Sequence, residues 1–440
     1  MATVREGAWN DPSDPLSDPE EQQVLLSTLD SFRQYRRQSH YNTTHRRRQN
    51  LYALPPQHFK LLTAQPFSLL DHLSAIDDAI DSNADIADAI FSRGLASNVF
   101  PPWYNTASPD QHSKAHSTIR QFYRDWTAPG FQAEVKPILD LVLRSLHKHN
   151  IAAHPSTHIL VPGAGLGRLL FELTLVGYSA TGNEISYHQL LASDFILNSG
   201  AATGANGGYT IYPFANTFTN NLTAAHQLRS YTVPDVHPGT ALALAHAQGR
   251  VVGQMGMAAG DFTTSFASGT EYKQAFDAVA TVYFIDTAPN VLRYIETIHH
   301  CLKPGGVWVN VGPLLWHFDG TGGPASSSSS PSANKMGKEE GNNNNNADEV
   351  GKEGRGNNNN ADEDKGIAQP GAFELADDQV RELVRKMGFV IHQDGDGDDG
   401  EELQLQQLLN NSGAGGYMQD PESMLQNRYR PSFWVATKLE

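Results

Sequence analysis

The chain has 440 residues, 39% of them hydrophobic, and a formal net charge of −16. That length holds one large domain with additions, or two domains, and the apolar fraction is enough for a core. The acidic balance argues against a general nucleic-acid binder, which gains affinity by neutralising phosphates with Lys and Arg. No apolar run reaches the ~18 residues of a membrane span. The start, MATVREGAWNDPSDP, has no signal-peptide apolar region, and the lone Cys301 rules out an internal disulfide. These features predict a cytoplasmic enzyme, with a nuclear location also open.

Residues 1–18 are polar, carry two Asp-Pro pairs ahead of a third at Asp18-Pro19, and are expected to be disordered. Asp18-Pro19 then predicts a helix start, an N-cap followed by proline at the first helical position. Val24, Leu25, Leu29 and Phe32 recur at helical spacing, and the helix is expected to run to about Tyr41. The basic run His45-Arg46-Arg47-Arg48 reads as a solvated helix face rather than a grip for an anionic partner. Pro55-Pro56 breaks the pattern, and further helices are expected over Gln57–Leu62 and Leu69–Phe91. Residues 19–107 thus read as a helical N-terminal module, closed by the extended aromatic stretch Pro101-Pro102-Trp103-Tyr104. Ser108-Pro109-Asp110 opens a helix to Trp126, on which Gln121 and Arg124, three apart, share a face. A helix over Phe131–His149 leads into the first strand.

The stretch around which the chain is organised comes next. Ile159-Leu160-Val161 is a buried-strand run, Gly163-Ala164-Gly165-Leu166-Gly167 a glycine turn, and Leu169–Val176 a short apolar helix ending at Gly177. A second strand, Ser179–Gly182, leads to Glu184, 21 residues after Gly163. Glycines let backbone approach a ligand, the helix offers free N–H groups, and an acid at the next strand's tip accepts from two ribose hydroxyls. The spacing is G-x-G-x-G rather than the G-x-G-x-x-G of dinucleotide enzymes, which favours S-adenosylmethionine over NAD.

A helix over Tyr187–Asn198 follows, then Leu228–Gln248, which reads as an irregular insertion. Val251–Met257 is expected as the third strand, with Gly260-Asp261-Phe262 after it as an acid and an aromatic for adenine. Phe276–Val282 is the fourth strand and runs into Asp286, placed for substrate work at a strand's carboxyl end or, alternatively, as the cap of a helix over Asn290–Leu302. Lys303-Pro304-Gly305-Gly306 turns into the fifth strand, Val307–Val311, and Gly312–Phe318 ends it. Residues 319–366 hold serine and asparagine runs from which no core can be built, and read as a disordered insertion. A helix over Asp377–Met387, a strand over Gly388–His392, the acidic stretch Asp394–Glu402 and an edge-capable strand over Tyr429–Thr437 complete the chain. The fold class is α/β: a doubly wound, seven-stranded Rossmann-like methyltransferase sheet, formed by 108–318 with 367–440. No metal site is expected.

Together, Gln121-Phe122-Tyr123-Arg124-Asp125-Trp126, Val161–Leu169, Gly182-Asn183-Glu184, Ala259-Gly260-Asp261-Phe262, Phe284–Ala288 and Gly312–Phe318 resemble the carnosine N-methyltransferase family. The resemblance covers about Gln34–Phe318 and the C-terminal 60 or so residues. It implies S-adenosylmethionine as donor and the imidazole of carnosine as acceptor, giving anserine, with other histidine dipeptides as further acceptors. Residue by residue, it implies Gln121 and Arg124 on the donor's methionine carboxylate, Gly163 and Gly165 in its cradle, Glu184 on the ribose, and Asp261 and Phe262 on adenine. Asp286, His317 and Tyr429 would face the dipeptide. Asp286 or His317 would accept the ring N–H and later the proton, with Asp286 the stronger contributor as a permanent charge. The competing readings are a histidine methyltransferase acting on a protein or peptide, and a methyltransferase fold kept as a binding module. A small-molecule substrate with no nucleic acid and no membrane is expected, and a homodimer stays open.

Overall fold

The computed structural model describes residues 18–96, 104–198, 208–317, 373–392, 418, 420–426 and 428–439. The start before Asp18, residues 101–103, the insertion at 319–366 and Asp394–Glu402 lie outside them.

Asp18 caps helix α1 (Pro19–Arg33), accepting from the Glu20 N–H at 2.8 Å. Leu25, Leu29 and Phe32 are buried, but Val24 is 47% exposed, so the inward stripe is narrower than the periodicity suggests. Helical backbone also runs beyond Tyr41, through α2 (Tyr35–His40), a π-helical turn (Tyr41–His45) and α3 (Arg46–Tyr52), and stops before Pro55-Pro56. Helices α4 (Pro56–Thr63) and α5 (Leu69–Ala96) follow. The basic run is largely spent within the chain: Arg48 pairs with Asp77 at 2.6 Å and Arg47 lies 3.6 Å over the Phe218 ring. Helix α6 (Pro109–Trp126) begins with a reciprocal cap between Ser108 and Gln111, which satisfies two otherwise orphaned N–H groups. A short turn, α7 (Ala128–Gly130), and a π-turn (Phe131–Val135) lead into α8 (Lys136–Lys148).

The central sheet has seven strands: β1 (His158–Pro162), β2 (Ser179–Glu184), β5 (Met255–Ala259), β6 (Phe276–Val282), β7 (Leu302–Gly312), β8 (Phe389–Ile391) and β9 (Ser432–Lys438). Their order is β5-β2-β1-β6-β7-β9-β8, with only β9 antiparallel to its neighbours. This places β9 beside β7 as expected, yet β8 rather than β9 takes the edge. Helices α9 (Arg168–Val176), α10 (Tyr187–Asn198), α14 (Val291–Cys301) and α15 (Asp377–Lys386) make the crossovers and the flank. Alternation sets the two faces: Ile159 and Val161 join Val142 and Leu146 of α8 in one core, whereas Leu160 joins Phe284, Ile295 and Trp308 in the other. The indole of Trp308 meets Trp434 edge-on at 4.6 Å, and its own N–H donates to the Thr281 hydroxyl at 2.8 Å, so Trp308 is buried with its polar atom paired.

Two expectations change. Residues 228–248 are regular: β4 (Tyr231–Val233) pairs antiparallel with β3 (Tyr209–Ile211), the short α11 (Ala224–Gln227) precedes it and α12 (Pro238–Ala247) follows. The ribbon is held by Asn83 of α5, whose amide exchanges two bonds with the Tyr212 backbone at 2.7 and 3.0 Å. The third sheet strand also starts later than expected, at Met255, because Val251 is 62% exposed and the chain first crosses Tyr178 at Gly253. The N-terminal helices share one core with the sheet domain: Phe32, Tyr35 and Ile86 pack in the same cluster as Phe122, Leu166 and Phe195.

Candidate active site

All three glycines of the G-x-G-x-G turn adopt left-handed backbone, with φ of +67° at Gly163, +57° at Gly165 and +78° at Gly167. Any L side chain is strained there. At Gly163 a Cβ would also stand 2.6 Å from the Phe284 ring, so this turn is pressed against the segment that carries Asp286. The C-terminal end of α6 clamps the turn from the other side. The Trp126 indole donates to the Leu166 carbonyl at 3.1 Å, and buried Arg168 donates to the Asp125 carbonyl at 2.8 Å.

Glu184 sits at the tip of β2 with its carboxylate turned to this turn. Its oxygens accept from the N–H groups of Gly165 at 3.0 Å, Ile185 at 2.9 Å and Ser186 at 2.8 Å. Burial raises its pKa and the three amides oppose that shift. Gln189, in the first turn of α10, completes the arrangement. With its amide turned so that N faces the carboxylate, it donates to Glu184 at 2.9 and 3.0 Å and accepts from the Gln121 amide at 3.0 Å. Gln121 and Glu184, 63 positions apart, are thereby joined through one side chain. Arg124, on the same helix, makes a two-pronged pair with Asp125 at 2.6 and 3.0 Å, and its guanidinium stands within 3.8 Å of where a Gly165 Cβ would be.

Asp261 is tied to the same rim, since the Gly260 N–H donates to the Glu184 carbonyl at 2.9 Å. Its carboxylate caps α13 (Phe262–Phe266), accepting from the Thr264 N–H at 2.9 Å and the Thr263 hydroxyl at 2.6 Å. The Phe262 ring points inward, 5.4 Å from both Phe284 and Tyr294 and edge-on to each. It is 2% exposed, so it supports the rim from beneath and does not offer a free face for stacking.

On the other side of the turn, Asp286 lies in the 3₁₀ turn Ile285–Thr287 and is only 2% exposed. The helix cap that it was an alternative for is made by Asn290 instead. One Asp286 carboxylate oxygen accepts from the Leu315 N–H at 2.9 Å, and its carbonyl accepts from the His317 N–H at 3.1 Å. The ends of β6 and β7 are thus stitched together through this residue. Burial raises the Asp286 pKa, opposed by the Leu315 amide and by His317, so it is a buried carboxyl with raised proton affinity rather than a plain permanent charge. His317 itself is exposed. Tyr283 and Trp316, both non-glycine, hold positive φ of +52° and +45° on either side of this contact. Such outliers cost on the order of 1–3 kcal/mol each and persist where the surroundings over-determine them. Tyr429 is half-buried, three residues before β9.

A family model for carnosine N-methyltransferase matches residues 101–440. The chain belongs to the carnosine N-methyltransferase family. Among its relatives, carnosine N-methyltransferase of Schizosaccharomyces pombe is 31% identical over 95% of this chain and 96% of that protein. The Mus musculus carnosine N-methyltransferase is 35% identical over 68% of this chain and 72% of its own length. A Drosophila melanogaster member is 40% identical over 48% of this chain and 43% of that protein.

This carnosine N-methyltransferase family member is an S-adenosylmethionine-dependent enzyme, and its residues fit that group. A turn of left-handed glycines, closed to a Cβ at Gly163 and Gly167, a carboxylate at the next strand's tip and a guanidinium beside the turn suit a nucleoside with a charged amino-acid tail. Gln189, Tyr283 and Trp316 were not legible in the sequence. Gln189 is one polar residue in a mostly apolar helix, and a positive φ at Tyr or Trp leaves no mark in composition.

Proposed function

We propose that this enzyme methylates the imidazole ring of carnosine, giving anserine, at the ends of β6, β7 and β9. The observation that carries the reading is the placement of Asp286. It is buried, bonded to one amide at 2.9 Å, and one residue beyond the Phe284–Ile285 segment that presses on Gly163. S-adenosylmethionine, when bound, supplies an electrophilic methyl group on a sulfonium.

The remaining work belongs to the chain. Gln121, Arg124, Gly163, Gly165, Glu184, Asp261 and the Phe262 main chain hold the donor, with Arg124 facing its carboxylate and Glu184 its ribose hydroxyls. Asp286 accepts one ring N–H of the acceptor, which fixes the tautomer and leaves the lone pair of the other nitrogen directed at the methyl. After transfer the methylated ring is an imidazolium. Its N–H proton passes to Asp286, whose burial-raised proton affinity suits it as a base. His317 and Tyr429 bound the dipeptide. Rate comes mainly from alignment and exclusion of water.

Incubation with labelled S-adenosylmethionine and carnosine tests this directly. Label in the dipeptide is the expected result, and donor binding without transfer to carnosine would overturn the acceptor assignment. A second reading, transfer to histidine in a peptide, draws on the open rim, where Leu315 is 48% exposed beside the exposed His317. A histidine peptide that outcompetes carnosine would select it. No described helix is long and apolar enough to cross a membrane.

A further inference from the structure

The segment before β9 is fastened at both ends. Downstream, Ser432 opposes Gly312 across the β7–β9 ladder, its carbonyl accepts from the Asn310 amide at 3.4 Å, and its hydroxyl bonds to Asp377. Because β9 runs antiparallel to β7, the residues just before Ser432 emerge at the carboxyl end of β7, where Leu314–His317 and Asp286 lie. Upstream, residues 420–426 dock on the region 220–229. Arg229 pairs with Asp420 and stands 3.3 Å from Glu422, which also meets His226 at 3.0 Å. The Met424 N–H donates to the Asn220 carbonyl at 2.7 Å, and Asn221 and Ser423 form an antiparallel bridge. Gln426 turns its amide back onto the carbonyls of Ser423 at 2.7 Å and Asp420 at 3.0 Å.

The fastening is embedded in the fold. Asp420 is 8% exposed and Arg229 18%, with the guanidinium 4.7 Å over the Phe214 ring. Phe214 and Tyr231 pack against Tyr123 of α6. Met418 reaches α6 as well: its carbonyl accepts from Arg120 at 2.8 Å and its N–H donates to Glu134 at 2.7 Å. Arg120 adjoins Gln121 in sequence and lies one helical turn before Arg124.

We propose that Arg229 and Asp420 are positioning residues for the acceptor, a clasp that holds the strap between Gln426 and Ser432 and so sets Tyr429 at the site. This rests on the reading that Tyr429 faces the imidazole dipeptide. Five residues, six steps of chain, separate Gln426 from Ser432, a span of at most about 22 Å, so fixing both ends leaves Tyr429 few positions. Breaking one end returns those positions to the strap, and the acceptor must then fix it on binding. The donor-holding residues Gln121, Arg124, Gly163, Gly165 and Glu184 lie on α6, the turn after β1 and β2, outside the strap itself.

The test is steady-state kinetics of the full chain, wild type against Asp420→Asn and Arg229→Lys, with both substrates varied. The wild-type arm comes first, using carnosine and a histidine-containing peptide. The acceptor that turns over faster is carried forward, and turnover of neither would overturn the imidazole reading and this proposal together. In the variants KM for the acceptor should rise about tenfold, as ~1.4 kcal/mol of lost positioning gives, with KM for S-adenosylmethionine within about twofold. Asp420→Asn and Tyr429→Phe should be non-additive when combined, because one acts through the other. Asn221→Cys with Ser423→Cys in the Asp420→Asn background gives a second arm. Cys301 is buried and the chain's only cysteine, so the new pair can close without competition. Oxidation should restore the acceptor KM and reduction remove it. An unchanged acceptor KM, an equal rise in both KM values, additive effects with Tyr429→Phe, or oxidation without rescue would each overturn the proposal.

Discussion

At the proposed donor half of the site the centre is built from main chain around one carboxylate. Three left-handed glycines form the turn, three amides hold Glu184, and this centre, from β1 to Gln189, lies within 32 positions of sequence, with Gln121 and Arg124 of α6 and Asp261 joining it from outside that stretch. At the proposed acceptor half the groups are side chains, Asp286, His317 and Tyr429, drawn from segments spread over 144 positions. Their register is set by the β6–β7 and β7–β9 ladders and by one amide on Asp286. A nucleoside donor with fixed geometry is met by a prebuilt cradle whose centre is local. A small flexible acceptor is met by parts that only the closed sheet brings together, which makes this half the more sensitive to distant changes.

The largest effect should separate the halves outright. Glu184→Ala leaves the Gly165, Ile185 and Ser186 amides without their buried acceptor. At roughly 3 kcal/mol or more, donor affinity should fall at least about a hundredfold, measured by calorimetry. Tight binding retained in that variant would break the comparison. Asp286→Asn should do the reverse. Donor affinity should stay within about twofold while kcat drops roughly a hundredfold, the scale of a general base, and an unchanged kcat would remove Asp286 from the chemistry.

Acid should act on the fold through the buried His188, which precedes Gln189 on α10 and is bonded to the Ser31 hydroxyl at 3.0 Å and the Gln111 carbonyl at 3.1 Å. Burial lowers its pKa to about 3 from 6.5. The folded state therefore keeps it neutral while the unfolded chain takes up a proton. Its contribution to stability is present above pH 6.5 and is lost as pH falls from there toward 3, at ~1.4 kcal/mol per unit. Thermal unfolding followed from pH 7 to 4.5 should show this slope, and His188→Gln should flatten it. The smallest effect sharpens the donor half. Gln189→Leu removes the bridge between Glu184 and Gln121, and donor affinity should weaken about fivefold with acceptor KM unmoved.

The glycine turn, Glu184, the Ser108 cap, the strand Phe276–Val282, the Val307–Val311 part of β7 and the break at Pro55-Pro56 could be read directly, because each is a local pattern whose physics spans a few residues. The ribbon β3–β4 could not. Its strands are three residues each, and Asn83, more than a hundred positions away, supplies two of the bonds that hold it. Phe262 shows the same limit from the other direction. An aromatic after an acid suggests a stacking face, yet Phe284 and Tyr294 draw the ring into the core, where its area is better buried than exposed to a ligand.

By itself, then, the sequence determined the glycine turn, the acid after it and the order of most elements, since backbone conformation, capping and strand alternation act over a few positions and are written in residue type. Tertiary structure alone decided that β9 lies inside β8, that Asp286 is buried with raised proton affinity, that Gln189 joins Glu184 to Gln121, and that Arg229 meets Asp420. Each of these depends on segments far apart in the chain arriving within a few ångströms of one another, and that proximity is a property of the packed sheet.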